Sequence, residues 1–232
     1  MRKGILTFAW VLAGLASPVW SQEAGLPPEA QQMLEKSSAL KSYRTKLVLE
    51  AKEEDGTPFR LEGKLLFESP SRRRLEIREA GSDDAPQMLV NDGKVEWQHY
   101  PQAGVVYRLT APPPTPGPHR PFAETQPGTV RFVERAGTKR DPILRFEAQP
   151  LPASVEGSPV PVEKIRIDVG ENDGLVRQLV LLDAAGEAIL TQSFSKIELN
   201  VPTSEEDFAF TPPEGVAVVD MPAAQAERRP AQ

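Results

Sequence analysis

The chain contains no cysteine. That excludes a disulfide scaffold, a thiol nucleophile, a thiolate metal site and an N-terminal cysteine that could carry lipid. It has two histidines, His99 and His119, so a histidine-rich zinc site or a serine–histidine triad has little to build with. Cationic residues are outnumbered, 27 against 33 acidic ones, which argues against nucleic acid as a partner, since phosphates need a basic face. There is no nucleophile elbow and no histidine beside a serine or carboxylate motif, so neither an enzyme nor a cofactor or metal is expected. Hydrophobic residues make up 39% of the chain, on the low side for a globular protein but above the disordered regime. A length of 232 residues suits one domain.

What is present begins with an address. Arg2 and Lys3 precede an apolar run from Ile5 to Ala16, Pro18 breaks it, and Ser21 offers a small residue for cleavage. Residues 1–21 therefore read as a secretory signal. No later stretch approaches the ~18 apolar residues that span a bilayer. The expected protein is exported and soluble after cleavage, and an exported chain without cysteine suits the bacterial periplasm. The folded domain is expected over 22–221. The last residues, 222–232, are Ala, Gln, Glu, Arg and Pro and read as a disordered tail.

One helix is signalled. Pro27 and Pro28 stand where a first turn tolerates them. Ala30, Met33, Leu34, Ser37 and Leu40 then fall on one helical face, and the spacing predicts an end near Lys41 or Ser42. Alternating segments follow: 43–50, 59–67, 74–78, 88–91, 95–100, 105–109, 143–148, 162–169, 175–182 and 188–199. They are joined by Gly, Pro, Asn and Asp turns. Residues 130–135 fit a strand or a single helical turn. Of 24 prolines, seven lie within 111–127, a density that no ladder or helix interior survives. The expected fold is mainly β with few helices: a single strongly curved antiparallel sheet, with the N-terminal helix and the central loop over its concave face.

Period-two alternation gives that face Leu47, Leu49, Phe59, Leu61, Leu65, Phe67, Leu75, Ile77, Trp97, Ile165, Ile167, Leu179 and Leu181. The bland reading of each is a filled core; the functional reading concerns the set, as the lining of an apolar cavity. For Trp97 a core position and the cavity mouth are equally open. Glu53-Glu54-Asp55 and Ser82-Asp83-Asp84 read as solvated turns rather than metal ligands.

Four segments resemble the LolA-type periplasmic lipoprotein carriers and the wider set of outer-membrane lipoprotein-sorting proteins. They are Gly63-Lys64-Leu65 leading to Pro70, the hairpin Leu89-Val90-Asn91-Asp92-Gly93-Lys94-Val95-Glu96-Trp97, the turn and strand Asp173-Gly174-Leu175-Val176, and the closing run Phe208-Ala209-Phe210-Thr211-Pro212-Pro213-Glu214-Gly215-Val216. The resemblance covers roughly 27–220. It implies an unclosed half-barrel whose apolar concave face holds the acyl chains of a lipoprotein or lipid for transfer toward the outer membrane. It also implies an inner-membrane donor complex and an outer-membrane acceptor as partners. Two departures stand out. Ser69 occupies the place of an Arg that helps hold the carriers' lid closed; alternation turns the nearby Arg72 and Arg74 toward solvent, so the role does not pass to them. Pro121 and Phe122 echo the start of the carriers' lid, but the proline-rich 111–127 cannot form its helices. The alternative on the same fold is a lipid sensor or protein-binding regulatory module that uses 111–127 for a partner.

Overall fold

The computed structural model describes residues 25–52, 56–110, 122, 125–152, 155, 158 and 160–221. The signal expected over 1–21, the turn at 53–55, Pro121, most of the proline-rich segment and the tail expected over 222–232 lie outside them. Twelve strands form one sheet: β1 (Ser42–Lys52), β2 (Pro58–Glu68), β3 (Arg72–Glu79), β4 (Gln87–Asn91), β5 (Val95–Tyr100), β6 (Val105–Thr110), β7 (Arg131–Gly137), β8 (Pro142–Ala148), β9 (Lys164–Gly170), β10 (Val176–Leu182), β11 (Ala188–Leu199) and β12 (Ala217–Met221). Their order across the sheet is 12-6-5-4-3-2-1-11-10-9-8-7. Among the described residues strands β7 and β12 are free edges, so the sheet is an unclosed half-barrel, as expected. The undecided segment near 130–135 is a strand.

One pairing departs from the antiparallel expectation. β12 runs parallel to β6, with Ala217 opposite Val105 and Met221 opposite Leu109. The physical reason is its route. After β11 the chain crosses the outer face of the sheet and arrives beside β6 travelling in the same direction. A parallel pair needs such a long connection.

The helix α1 spans Pro28–Ser38, shorter than the apolar spacing predicts. Pro27 caps it in extended conformation, with φ −64° and ψ 154°, and Pro28 costs nothing in a first turn that has no donor partner anyway. Near its end the Ser37 and Ser38 hydroxyls donate back to the Leu34 and Glu35 carbonyls, which competes with continuation of the helix. Ala30, Met33 and Ser37 are buried. Ala30 and Met33 pack with Leu144, Phe146, Ile165, Ile167 and Val169, so the helix lies on the inner face of β8 to β10.

The turn after β9 fixes α1 in place. Gly174 has φ +73°, and a Cβ there would lie 2.1 Å from the Met33 carbonyl oxygen, so the turn and the helix backbone touch only because no side chain intervenes. Lys36 Nζ donates to the Glu171 carbonyl. Asp173 accepts from the Leu175 amide at 2.9 Å and from Arg177 at 2.8 Å, and Arg177 also holds Asp141 at 3.0 Å.

Candidate functional site

The strand register sorts the two faces. On the inner face Tyr43, Phe67, Arg73, Asn91 and Glu96 form one row across β1 to β5. Leu65, Leu75, Leu89 and Gln98 form a second row across β2 to β5, and Leu47, Gly63 and Ile77 a third across β1 to β3. On the other side of β1, Leu49 and Ala51 face Gln192 and Leu190, then Leu179 and Leu181, then Ile167 and Ile165. The structure thus brings Leu47, Leu49, Phe59, Leu61, Leu65, Phe67, Leu75, Ile77, Ile165, Ile167, Leu179 and Leu181 onto one continuous face.

Trp97 is the exception. It pairs with Val90 and Arg108, which places it on the outer face. The hairpin turn at Asp92-Gly93 decides this, because Glu96 is opposite Asn91 and takes the inward place. A shift of one residue in register reverses every side chain.

Gly63 explains part of its motif. A Cβ at this position would lie 2.4 Å from the Glu76 carbonyl oxygen and 2.6 Å from Ile77 Cγ2. The missing side chain lets Ile77 lie across β2 toward Leu47. Where Ile77, Leu61 and Phe59 approach the edge of the face, they line a small open cleft of about 30 Å³, rimmed by Arg78, Glu79, Ser82, Asp84, Gln87 and Gln102. Phe122, the part of the expected lid that is described, is buried against the inner face. Its ring meets Phe146 edge-on at 5.1 Å between centroids.

A second group on this face is charged. Arg73 Nη2 donates to Glu96 Oε2 at 2.5 Å, and the two side chains are 11% and 10% exposed. Gln98 Nε2 donates to Glu96 Oε1 at 2.9 Å, and Asn91 Nδ2 donates to Oε2 at 3.4 Å. Burial alone would raise the Glu96 carboxyl pKa. The Arg73 charge and these three donors outweigh it, so the pKa is lowered and the group stays ionised. Sequence reading passed over this cluster. The signal was available: counting back by two from Ile77 and Leu75 puts Arg73 on their face.

The outer face is not the solvated surface that alternation implies. Residues 200–216 cross it as a strap. Ser42 Oγ donates to the Val201 carbonyl at 2.7 Å, and Thr203 Oγ1 to Glu68. Arg72 lies 5.1 Å from the centroid of the Phe208 ring, which is 1% exposed. Arg74 donates to the Ala209 carbonyl. Phe210 meets Trp97 at 5.7 Å and His99 at 5.8 Å, and burial lowers the His99 pKa. Arg72 and Arg74 are therefore half-buried beneath the closing motif rather than free in water. That motif is a clasp, which is why its aromatic residues alternate.

Among the described residues no helix is long and apolar enough to cross a membrane. No family model matches the chain, and no curated protein does. Solved structures do. An uncharacterised conserved protein from Thermus thermophilus is similar at a TM-score of 0.59 with 12% identity, over 83% of this chain and 99% of that one. The Pseudomonas aeruginosa MucA/MucB complex is similar at 0.47 with 15% identity, over 79% of this chain and 60% of that one. A LolA superfamily protein from Nitrosomonas europaea is similar at 0.37 with 10% identity, over 78% and 97%. At such identities the likeness concerns the fold alone, an unclosed half-barrel sheet with a helix on its inner face.

Proposed function

We propose that this protein is a periplasmic carrier that holds the acyl chains of lipoproteins or lipids against the inner face and passes them toward the outer membrane. The observation that carries this reading is the continuity of the apolar face. It runs from Ile77 through Leu47 and Leu49 to Leu179 and Ile167, over strands that are distant in sequence; α1 and Phe122 cover its part on β8 and β9, and it reaches the surface at the small cleft of Phe59, Leu61 and Ile77. The four family-like motifs support the same reading.

Such a carrier performs binding and release, not bond chemistry. Each buried methylene contributes about 0.8 kcal/mol, so one acyl chain supplies several kcal/mol of retention. Release then follows when a second apolar site, on an outer-membrane acceptor, offers equal burial. A donor complex at the inner membrane supplies the loaded chain.

The test is native mass spectrometry of the full chain purified from periplasm, together with uptake of a fluorescent fatty acid. Co-purifying lipid or lipopeptide and saturable uptake are expected. A protein free of both overturns the reading.

A further inference from the structure

The two edges of the sheet are finished differently. β7 carries Arg131, Glu134 and Arg135, and its register with β8 shifts between Phe132 and Glu134. Charge and a bulge are the usual defences of an edge against further pairing. β12 is regular and nearly neutral. Its register with β6 is unbroken from Ala217 to Met221. Its single charged residue, Asp220, is held by Arg108 at 2.5 and 2.9 Å. Val218 and Val219 stand on opposite faces, 45% and 41% exposed. Such an edge is a template for another strand. The two stretches of this chain that leave the same end of the sheet do not suit it. Residues 111–127 hold seven prolines, which have no N–H for a ladder. Residues 222–232 are Ala, Gln, Glu, Arg and Pro, poor strand formers. A second copy of β12 does suit it. The Ala217 amide donates to the Gly104 carbonyl, so Ala217, Val219 and Met221 turn their backbone groups to β6. Val218 and Asp220 therefore turn theirs outward, one on either side of Val219. That outward pattern is complementary to itself.

We propose that β12 pairs antiparallel with β12 of a second copy about a twofold axis through Val219. Two twelve-stranded half-barrels become one sheet, with both inner faces on the same side. Val218 of each copy exchanges N–H to C=O hydrogen bonds with Asp220 of the other. Val219 meets Val219 of the second copy as a close, non-hydrogen-bonded pair, with Cα atoms about 4.5 Å apart. On the same face Ala217 lies opposite Met221, so apolar meets apolar. On the outer face Val218 lies beside the other copy's Asp220–Arg108 pair, and the two carboxylates are not directly opposed. The contact is isologous and closes at two copies. Its short length places it among weak dimers, with a Kd of about 1–100 µM. The pairing goes beyond the carrier reading and stands whether or not the inner face holds an acyl chain.

The test is analytical ultracentrifugation of the full chain from about 1 µM to about 500 µM; a reversible monomer–dimer equilibrium is expected. Register is read by cross-linking. The chain has no cysteine, so a single introduced one can bridge only to its own copy. Val219→Cys is expected to form a disulfide-linked dimer at least about tenfold faster than Val218→Cys, because only position 219 faces itself at bridging distance. The two sites are similarly exposed, so accessibility alone predicts no difference. Val219→Lys and Val219→Glu change an exposed side chain and are each expected to fold and remain monomeric, since like charges would meet across the axis. An equimolar mixture of the two is expected to dimerise. Val133→Lys, on the β7 edge, is expected to leave the dimer unchanged. A chain that stays monomeric over the whole range, equal cross-linking at 218 and 219, or a mixture that associates no better than its components overturns the proposal.

Discussion

The two halves of the sheet are covered differently. In β8 to β10 the inner face is the core: Phe146, Ile167 and Val169 are fully buried beneath α1, while the outer face carries Arg145 paired with Asp168 and Glu134. In β3 to β6 both faces carry buried side chains. The outer face holds the fully buried Val90 and Val106, on the side of Trp97 where the strap's Phe210 packs. The inner face holds Arg73, Asn91, Glu96 and Gln98 beside the buried Leu75, Ile77 and Leu109. One half is closed over a filled apolar interior, and the other sets a buried charged pair, Arg73 and Glu96, into its inner face beside apolar side chains.

The sharpest way to break this contrast is to strip one charge from the buried pair. Arg73→Leu leaves Glu96 buried without its cation and is expected to cost about 3–5 kcal/mol in urea unfolding, while R73L/E96L restores most of that. If the single and double variants are equally unstable, the pair is ordinary packing. In the closed half, Phe146→Ala is expected to cost a similar ~3–5 kcal/mol. Leu61→Ala, at the cleft, is expected to cost less than half as much because Leu61 is only partly buried. Equal losses would mean that the cleft is as tightly filled as the helix-covered core.

Smaller effects refine the comparison. Gly63→Ala must push β2 away from Glu76 and Ile77 and is expected to cost at least about 1 kcal/mol. It should also alter acyl uptake, because it moves Ile77 at the cleft. The lowered pKa of Glu96 has a definite pH signature. A depressed carboxyl contributes stability above its ordinary pKa of 4.5 and loses it as pH falls below that value through the folded-state pKa. Glu96→Gln should therefore flatten the acid limb of the stability curve, read from melting temperature against pH; an unchanged limb would contradict the assignment. Least affected is Asp220→Asn. Its ion pair with Arg108 at the β6–β12 edge is exposed, and the melting temperature should stay within experimental scatter.

Much of this molecule was legible beforehand. Alternation located almost every strand, because each is wet or covered on one side and packed on the other. The turn residues Asp92-Gly93 and Asp173-Gly174 marked their connections because few other pairs adopt those backbone angles. The apolar inner face, Trp97 apart, could be assembled as a set from period two alone. Three things escaped. Trp97 was placed inside, since an apolar ring carries no sign of which face it belongs to until the register is known. Arg73 was passed over, since a cation in a run of three looks solvated. The closing run was recognised by pattern, but nothing local says that its aromatic residues cross the sheet on its outer face.

By itself the sequence determined local geometry: which residues form strands, where α1 begins, and which positions alternate. Those follow from backbone preferences and from the period of side-chain placement, both of which act over a few residues. Tertiary structure alone decided what covers each face, because that depends on which distant segment packs there. The covers, α1 on one side and the strap of 200–216 on the other, come from opposite ends of the chain. Only packing brings Phe210 to Trp97 or seats Arg73 against Glu96, since no short-range rule couples residues so far apart.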